Sequence, residues 1–300
     1  MIRELNTNEV KALHYELILK DIVTVAEKIP PFPDIVWKVV PLIRKSAPLK
    51  EIEAVIKYDQ VITARVLALS RSPYYARRSD VKSLQDAIIL LGGQKLIQVV
   101  MTACAAQCYH DKEDSERDGA QRELWEHSVV TALVSEMICR SIKHKKFLTV
   151  YTAALLHDIG KTILNRYSKI YLGATLSEVK TGVGGFLEAE RSSLGIDHQE
   201  LGGLIARRWS LPPEVTAAIG NHHCPWKAET DQDVAAIVYV SNRIAATICV
   251  DESGSERIAL DLERDPVFKR LGASAKVVQK FWGEAKTALA GIAQFLSSER

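Results

Sequence analysis

Apolar residues recur every three to four positions along most of this chain, and that spacing constrains the fold more than any other feature. Between residues 10 and 28 the apolar positions include Val10, Leu13, Leu17, Ile18, Ile22 and Val25. A repeat of this kind places side chains on one face of an α-helix, whereas a half-buried strand needs strict alternation. Alternation bounded by turn residues is nearly absent, so the chain is predicted to be all-α.

The same repeat predicts further helices and the boundaries between them. Helices are expected over residues 59–70, 93–108, 122–143, 197–209, 212–221, 233–249 and 274–297. The proline-rich stretch 29–34 should end the first helix, because proline lacks an amide donor and restricts the residue before it. Asp34 and Asp59 are predicted to cap the helices that follow them. Pro41 is predicted to lie inside a helix and to kink it.

A charged stretch over residues 110–123 divides the chain. Nine of its last thirteen residues are charged, so it should be solvated and should connect two helical lobes. The predicted architecture is therefore two-lobed, with one lobe over 1–113 and a second over 118–250. A helical extension is predicted over 251–300.

Composition makes several function classes improbable. The net charge is only +2, whereas binding to nucleic acid or to an anionic membrane needs a concentrated basic surface. No apolar run approaches the roughly 18 residues of a membrane span, and the polar first 20 residues do not resemble a signal peptide. The five cysteines form no CxxC pair. We therefore expect a reduced, cytoplasmic protein that binds neither DNA nor membranes.

Polar residues interrupt the apolar helical faces of the second lobe, where six of the eight histidines lie. Neutral imidazole and carboxylate are the usual ligands of divalent transition metals, and helical bundles build metal sites from inward-facing side chains. The residues predicted to form such a site are His127, His157, Asp158, His198, His222, His223 and Asn242.

Each of these residues also has a purely structural explanation. A single histidine such as His127 is more often a hydrogen-bonded core or surface residue, and His198 can bond a backbone carbonyl near a helix start. Asn242 needs buried hydrogen-bond partners but no metal. His157 and Asp158 are the strongest pair, because they end an apolar helix ahead of a glycine. The whole set indicates a metal site more strongly than any of its members does.

Several motifs occur in an order that is typical of one family. They are IPPFPDIVWKVVPLI from residue 29, LQDAIILLGGQKLIQVVM from 84, HDIGK from 157 and LGGLIARRWSLPPEVTAAIGNHHCP from 201. Over about residues 20–250 the chain resembles the HDOD domain. That domain is a divergent member of the HD superfamily of metal-dependent phosphohydrolases and occurs in bacterial signalling proteins. The resemblance implies a two-lobed helical bundle.

The resemblance also implies roles for individual residues. By motif position, the HD metal ligands would be His127, His157 and Asp158. The extra ligands of the related two-metal HD-GYP phosphodiesterases would be His198, His222 and His223. Lys161 matches the lysine that contacts substrate phosphate in those enzymes, so Asp158 and Lys161 would be the catalytic residues of a hydrolase.

Two departures from the family pattern favour a regulatory role. Asn242 occupies a position where the hydrolases carry an aspartate, and the GYP-type segment does not follow His222 and His223. Two divalent ions would bring four positive charges against one carboxylate, that of Asp158, so one ion is favoured over two. The nitrogen-rich ligand set suits iron, nickel, zinc or manganese better than magnesium.

The sequence therefore supports two functional hypotheses. The first is a non-catalytic signal-transduction module that binds protein partners and retains a divalent metal site of one or two ions. The second is a metal-dependent phosphohydrolase, a phosphodiesterase or phosphatase, acting on a phosphoester or a cyclic dinucleotide.

Overall fold

The structure is a computed structural model that describes residues 7–29, 32–72, 81–109, 119–168, 170, 186–248, 254–272 and 274–296. Regular secondary structure in these ranges is entirely helical, and no strand occurs in them. The all-α prediction is therefore confirmed. Most of the predicted interlobe connection, residues 110–118, lies outside the described residues.

The helices predicted over 10–28 and 59–70 are found within three residues of their predicted ends. The helix predicted over 93–108 begins nine residues earlier, and a helix over 49–56 was not predicted. The described residues of the first part of the chain form five helices. They are α1 (Thr7–Glu27), α2 (Ile35–Arg44), α3 (Leu49–Ile56), α4 (Gln60–Arg71) and α5 (Leu84–Tyr109). Asp59 caps α4 as predicted, since its carboxylate accepts a hydrogen bond from the amide of Ile62 at 2.9 Å. Pro41 lies inside α2. The prediction for Asp34 is wrong: it precedes α2 in a helical backbone conformation, and its side chain makes no capping bond.

The helices of the second part include every one predicted there. They are α6 (Gly119–Ser141), α7 (Phe147–Leu156), α8 (Ile159–Tyr167), α9 (Phe186–Leu194), α10 (His198–Arg208), α11 (Pro213–Gly220), α12 (Gln232–Ile248), α13 (Gly254–Arg264), α14 (Pro266–Arg270) and α15 (Ala275–Leu296). Helices α7, α8, α10 and α11 are short, and their ends lie close together. Side chains at those ends can therefore converge on one point.

Helix α5 is the longest apolar element. Its 26 residues meet the length and composition of a membrane span, which the sequence analysis did not anticipate. However, 67% of its most apolar window is buried inside the protein, where α5 packs against α2, α4, α6 and α7. A helix that is surrounded by other helices in a protein core is apolar on all sides, because every side of it is buried. Gly92 interrupts α5 with a φ of 64°, a left-handed conformation that glycine adopts without strain.

Helices α6, α7 and α12 pack together at the centre of the second lobe, and α11 closes one side of them. The apolar core is continuous from Phe32 in the first part of the chain to Ala288 in α15. Helix α15 packs on α6 and α12, so the C-terminal extension contacts two of the helices that carry predicted ligands.

Helix α1 does not belong to that core. Its buried residues Ile18, Ile22 and Val25 form a second apolar cluster with Ile163 and Leu164 of α8. Helix α1 is thus in contact with the helix that follows the HD pair, although it comes first in the chain. The limits of the lobes and of the extension remain predictions.

Candidate metal centre

The HD pair lies at the junction of two helices. Helix α7 ends at Leu156, His157 follows it, and Asp158 immediately precedes α8. Both side chains are fully buried. Because the chain changes direction at this junction, the two side chains can face the same interior space.

Gly160 allows α8 to approach α10 closely. A Cβ atom at this position would overlap the carbonyl oxygen of His198 and would lie 2.8 Å from its carbonyl carbon. Real Cβ atoms essentially never come within 3.0 Å of such an atom. The glycine of the HDIGK motif is therefore required by the contact between α8 and the first residue of α10.

Four other helices bring the remaining residues to the junction. His198 is the first residue of α10, and Asp197 caps that helix by accepting a hydrogen bond from the amide of Glu200 at 2.8 Å. His222 and His223 follow the end of α11. His127 lies on α6 and Asn242 on α12. The structure thus brings together all seven residues that the sequence predicts for a metal site.

The carboxylate of Asp158 lies between two groups of histidines. Its Oδ2 is 3.2 Å from Nε2 of His157 and 3.7 Å from Nε2 of His127. Its Oδ1 is 3.5 Å from Nε2 of His198 and 3.6 Å from Nε2 of His222. Donor atoms that are about 2.1 Å from one ion lie about 3.0–3.4 Å apart. The observed spacings are close to that range on both sides of the carboxylate.

The second group of histidines is equally compact. Nε2 of His198 is 3.2 Å from Nε2 of His222 and 3.1 Å from Nε2 of His223. The ligand atoms of this group lie within 4.8 Å of one another, and the same limit holds for the group of His127, His157 and Asp158. The described residues therefore form two potential metal-binding groups that share a neighbour, Asp158.

In two histidines, the hydrogen bond made by the outer ring nitrogen determines that the inward-facing nitrogen is unprotonated. Nδ1 of His157 lies 2.7 Å from the carbonyl oxygen of Ala154, and Nδ1 of His222 lies 2.8 Å from that of Ile219. A carbonyl oxygen only accepts hydrogen bonds, so each Nδ1 must carry a hydrogen and act as the donor. In a neutral ring the lone pair then lies on Nε2, the nitrogen that points into the cluster.

Two inward-facing lone pairs cannot form a hydrogen bond with each other, but both can bind one cation. With Nδ1 of His198 donating to Glu190 at 2.7 Å, the facing Nε2 atoms of His198 and His222 are both acceptors. Nε2 of His157 and Oδ1 of Asp158 are buried with no hydrogen-bond partner among the described residues. Buried acceptors without donors are costly, and a metal ion satisfies several of them at once. The residues present therefore fit a metal ion.

Burial keeps four histidines of the cluster neutral by lowering their pKa values. It lowers the pKa of His127 to about 3 and that of His223 to about 3. Burial also lowers the pKa of His198 and of His222. Neutral imidazole is the form that binds a metal ion, so these ligands need not lose a proton at neutral pH.

The pKa values of the two buried carboxyl groups shift in opposite directions. Burial would raise the pKa of Asp158, but attraction from His157 and Lys161 holds it well below its usual value. Nζ of Lys161 lies 2.8 Å from Oδ2 of Asp158. Burial raises the pKa of Glu190 to about 8. A cation held beside His198 would lower the pKa of Glu190 again by attraction.

Two residues show features that the sequence did not reveal. Asn242 places its Oδ1 2.9 Å from Nε2 of His127, so it joins the cluster through that histidine. Glu190 on α9 contacts His198 and was not among the predicted residues. It lies eight positions before His198, in a helix whose other acidic residue, Glu188, is exposed. Nothing in the local pattern distinguishes the two glutamates.

The family follows from comparison with known proteins. The HDOD domain model matches residues 29–225. The chain belongs to the HDOD domain family. Helices α12 to α15 lie beyond the matched part of this HDOD protein, and so does Asn242.

Similar proteins agree with this fold. The HDOD protein matches a candidate phosphohydrolase from Shewanella amazonensis SB2B with 20% identity and a TM-score of 0.68. That match covers 90% of the HDOD protein and 97% of the Shewanella chain. The HDOD protein also matches a candidate signal-transduction protein from Marinobacter aquaeolei VT8 with 17% identity and a TM-score of 0.65, over 94% and 66% of the two chains. At these identities the likeness extends to the fold alone.

A relative is also found by sequence. An uncharacterised protein of Treponema pallidum (strain Nichols) is 21% identical over 207 residues. The match covers 67% of the HDOD protein but only 39% of the relative. The chain therefore spans about two fifths of that relative's length.

Proposed function

We propose that this HDOD protein is a bacterial signal-transduction module whose second lobe binds divalent transition metal ions. The observation that carries the proposal is the convergence of inward-facing imidazole nitrogens on both oxygens of one buried carboxylate, that of Asp158. Membership of the HDOD family supports the regulatory part of the proposal. So does the likeness to the Marinobacter protein, whose description is signal transduction.

The centre has two subsites. The HD subsite consists of His127, His157, Oδ2 of Asp158 and Asn242. The triple-histidine subsite consists of His198, His222, His223 and Oδ1 of Asp158. The donor spacings support one ion in each subsite with Asp158 between them, although the charge count made from the sequence favours a single ion. Imidazole-rich sites of this kind suit iron, nickel, zinc or manganese.

We place the module in the cytoplasm, where it would bind signalling proteins. Cys104, Cys108 and Cys139 are buried as free thiols, and Cys224 is a partly buried free thiol. Unpaired cysteines in a protein core suit a reducing compartment. Cys104 and Cys108 are four positions apart and so share one face of α5, where both are buried.

Deleting one ligand from each subsite tests the arrangement. We expect His127→Ala to lose one of two ions and His222→Ala to lose the other, because each variant removes a ligand from one subsite only. Titration of the metal-free variants with Zn²⁺ against a chelating competitor measures the stoichiometry. His144→Ala, outside both subsites, is the matched control. Loss of both ions in either variant would contradict two separable subsites.

A metal-dependent phosphohydrolase is the second candidate, because the centre is accessible at one side. The side chain of Lys161 is 21% exposed and that of His127 is 17% exposed, so an anionic ligand can reach both. Lys161 would bind a phosphoryl oxygen through its ammonium group, and Asp158 would hold that ammonium in place. Bound ions would polarise the phosphoryl group and make water a better nucleophile.

Turnover by the metal-loaded protein distinguishes the two candidates, and a substitution at position 242 tests the charge of the HD subsite. We expect Asn242→Asp to tighten binding at the HD subsite about tenfold, since it adds a negative charge beside His127. If the protein is regulatory, the metal-loaded wild type will turn over phosphomonoesters and cyclic dinucleotides no faster than Asp158→Asn does. Turnover by wild type that disappears in Asp158→Asn would replace the regulatory proposal with the hydrolase.

A further inference from the structure

Glu190 makes a contact that sets His198 apart from the other histidines. Its Oε2 accepts a hydrogen bond from the backbone amide of His198 at 2.9 Å and one from Nδ1 of the same residue at 2.7 Å. Glu190 is 4% exposed and His198 is 1% exposed, so water does not compete for either bond. One carboxylate oxygen therefore holds both the backbone and the ring of a single ligand.

We propose that Glu190 is a positioning residue for the triple-histidine subsite, an inference that rests on the proposed function. Its carboxylate holds His198 with Nδ1 protonated, so that Nε2 faces His222 and His223. The ring can then neither rotate nor exchange tautomers without breaking a buried hydrogen bond.

The chemistry of the anchor also differs between the histidines. His157 and His222 donate Nδ1–H to carbonyl oxygens, whereas His198 donates to a carboxylate. A carboxylate partner makes the opposite ring nitrogen a stronger ligand, and loss of such a partner typically weakens metal binding about 10- to 100-fold. The structure thus assigns the strongest of these histidine ligands to the triple-histidine subsite.

Glu190 also changes the charge count at the centre. Asp158 is the one carboxylate in the ligand set predicted from the sequence, and two divalent ions beside it would be poorly compensated. Glu190 places a second carboxylate in direct contact with a ligand. Its position on the side of His198 favours an ion in the triple-histidine subsite, and its negative charge offsets part of the imbalance that the sequence-based count found for two ions.

The test isolates that subsite by using His127→Ala as the parent protein. Co²⁺ is titrated into the metal-free parent, into the parent with Glu190→Gln, and into the parent with Glu188→Gln. Glu188 is an exposed residue of the same helix, so its substitution is a matched control. We expect Glu190→Gln to weaken Co²⁺ binding about 10- to 100-fold and Glu188→Gln to leave it unchanged.

A second readout requires no metal. In proton-detected nitrogen-15 NMR spectra of the metal-free protein, recorded above the raised pKa of Glu190 so that this group is a carboxylate, the Nδ1 proton of His198 should lie far downfield because of its short hydrogen bond to Oε2 at 2.7 Å. Glu190→Gln should move this proton upfield, and circular dichroism should show that the variant remains folded. An unchanged proton shift together with unchanged Co²⁺ affinity would overturn the role of Glu190 alone.

Failure of the proposed function gives a different result. In that case the parent protein itself would bind no Co²⁺, or a further His222→Ala substitution would leave its affinity unchanged. Either outcome would remove the triple-histidine subsite, and the positioning role of Glu190 with it.

Discussion

Asp158→Asn is expected to abolish binding of both metal ions, weakening each by more than about a hundredfold. The two oxygens of Asp158 face different groups of histidines, at 3.2 Å from His157 and 3.5 Å from His198. An amide of the same shape has one oxygen and no charge, so neither subsite keeps its anionic ligand. Isothermal titration of the metal-free variant with Zn²⁺ measures the loss.

Asp233→Asn is the control for this experiment. It makes the same exchange on α12, at a side chain that is 64% exposed and lies outside the cluster. We expect its two binding events to match those of the wild type. If Asp158→Asn retained one ion at wild-type affinity, Asp158 would belong to one subsite only, and the shared-carboxylate arrangement would be wrong.

Gly160→Ala is expected to destabilise the fold by about 3 kcal/mol or more, because the added Cβ meets rigid backbone. The methyl group would overlap the carbonyl oxygen of His198 and lie 2.8 Å from its carbonyl carbon. Helices α8 and α10 would have to separate, and that movement would draw His198 away from Asp158. Chemical denaturation measures the free energy of unfolding, and Zn²⁺ titration measures the effect on the triple-histidine subsite.

Gly283→Ala tests whether the effect comes from the contact and not from the loss of glycine. Gly283 is an exposed residue of α15, and a Cβ there has nothing within 4 Å. We expect this variant to gain about 0.5–1 kcal/mol of stability, since alanine favours a helix over glycine. Equal stability of Gly160→Ala and the wild type would show that α8 and α10 are not held at the described separation.

Most helices of this protein could be predicted because the three-to-four-residue spacing of apolar residues is visible in the sequence. The repeat over 59–70 corresponds to α4, and Asp59 caps it as expected. Asp34 shows where the rule fails. Capping depends on an extended backbone at the cap residue as well as on a carboxylate, and the backbone at Asp34 is helical.

The members of the metal centre could also be predicted, but their arrangement could not. Histidines that interrupt apolar faces are visible in the sequence, whereas the carbonyl oxygens of Ala154 and Ile219, which set the tautomers of His157 and His222, are not. Every residue has a backbone carbonyl, so no residue type indicates which one is an anchor. Tertiary packing decides it.

Glu190 and α1 illustrate the same limit over longer distances. Glu190 differs from the exposed Glu188 only in which side of α9 faces the protein, and a short helix with mixed residues does not reveal that side. The packing of α1 on α8 joins residues separated by more than a hundred positions. Neither contact has a local signal.

The measurement that tests the central claim most directly is the metal content of the full chain without a histidine tag. Wild type and His157→Ala would be loaded with Zn²⁺, freed of excess ions, and analysed by elemental mass spectrometry. The shared-carboxylate centre predicts two ions per chain in the wild type and no more than one in His157→Ala. Absence of stoichiometric metal in the wild type, or equal content in both proteins, would contradict the metal centre.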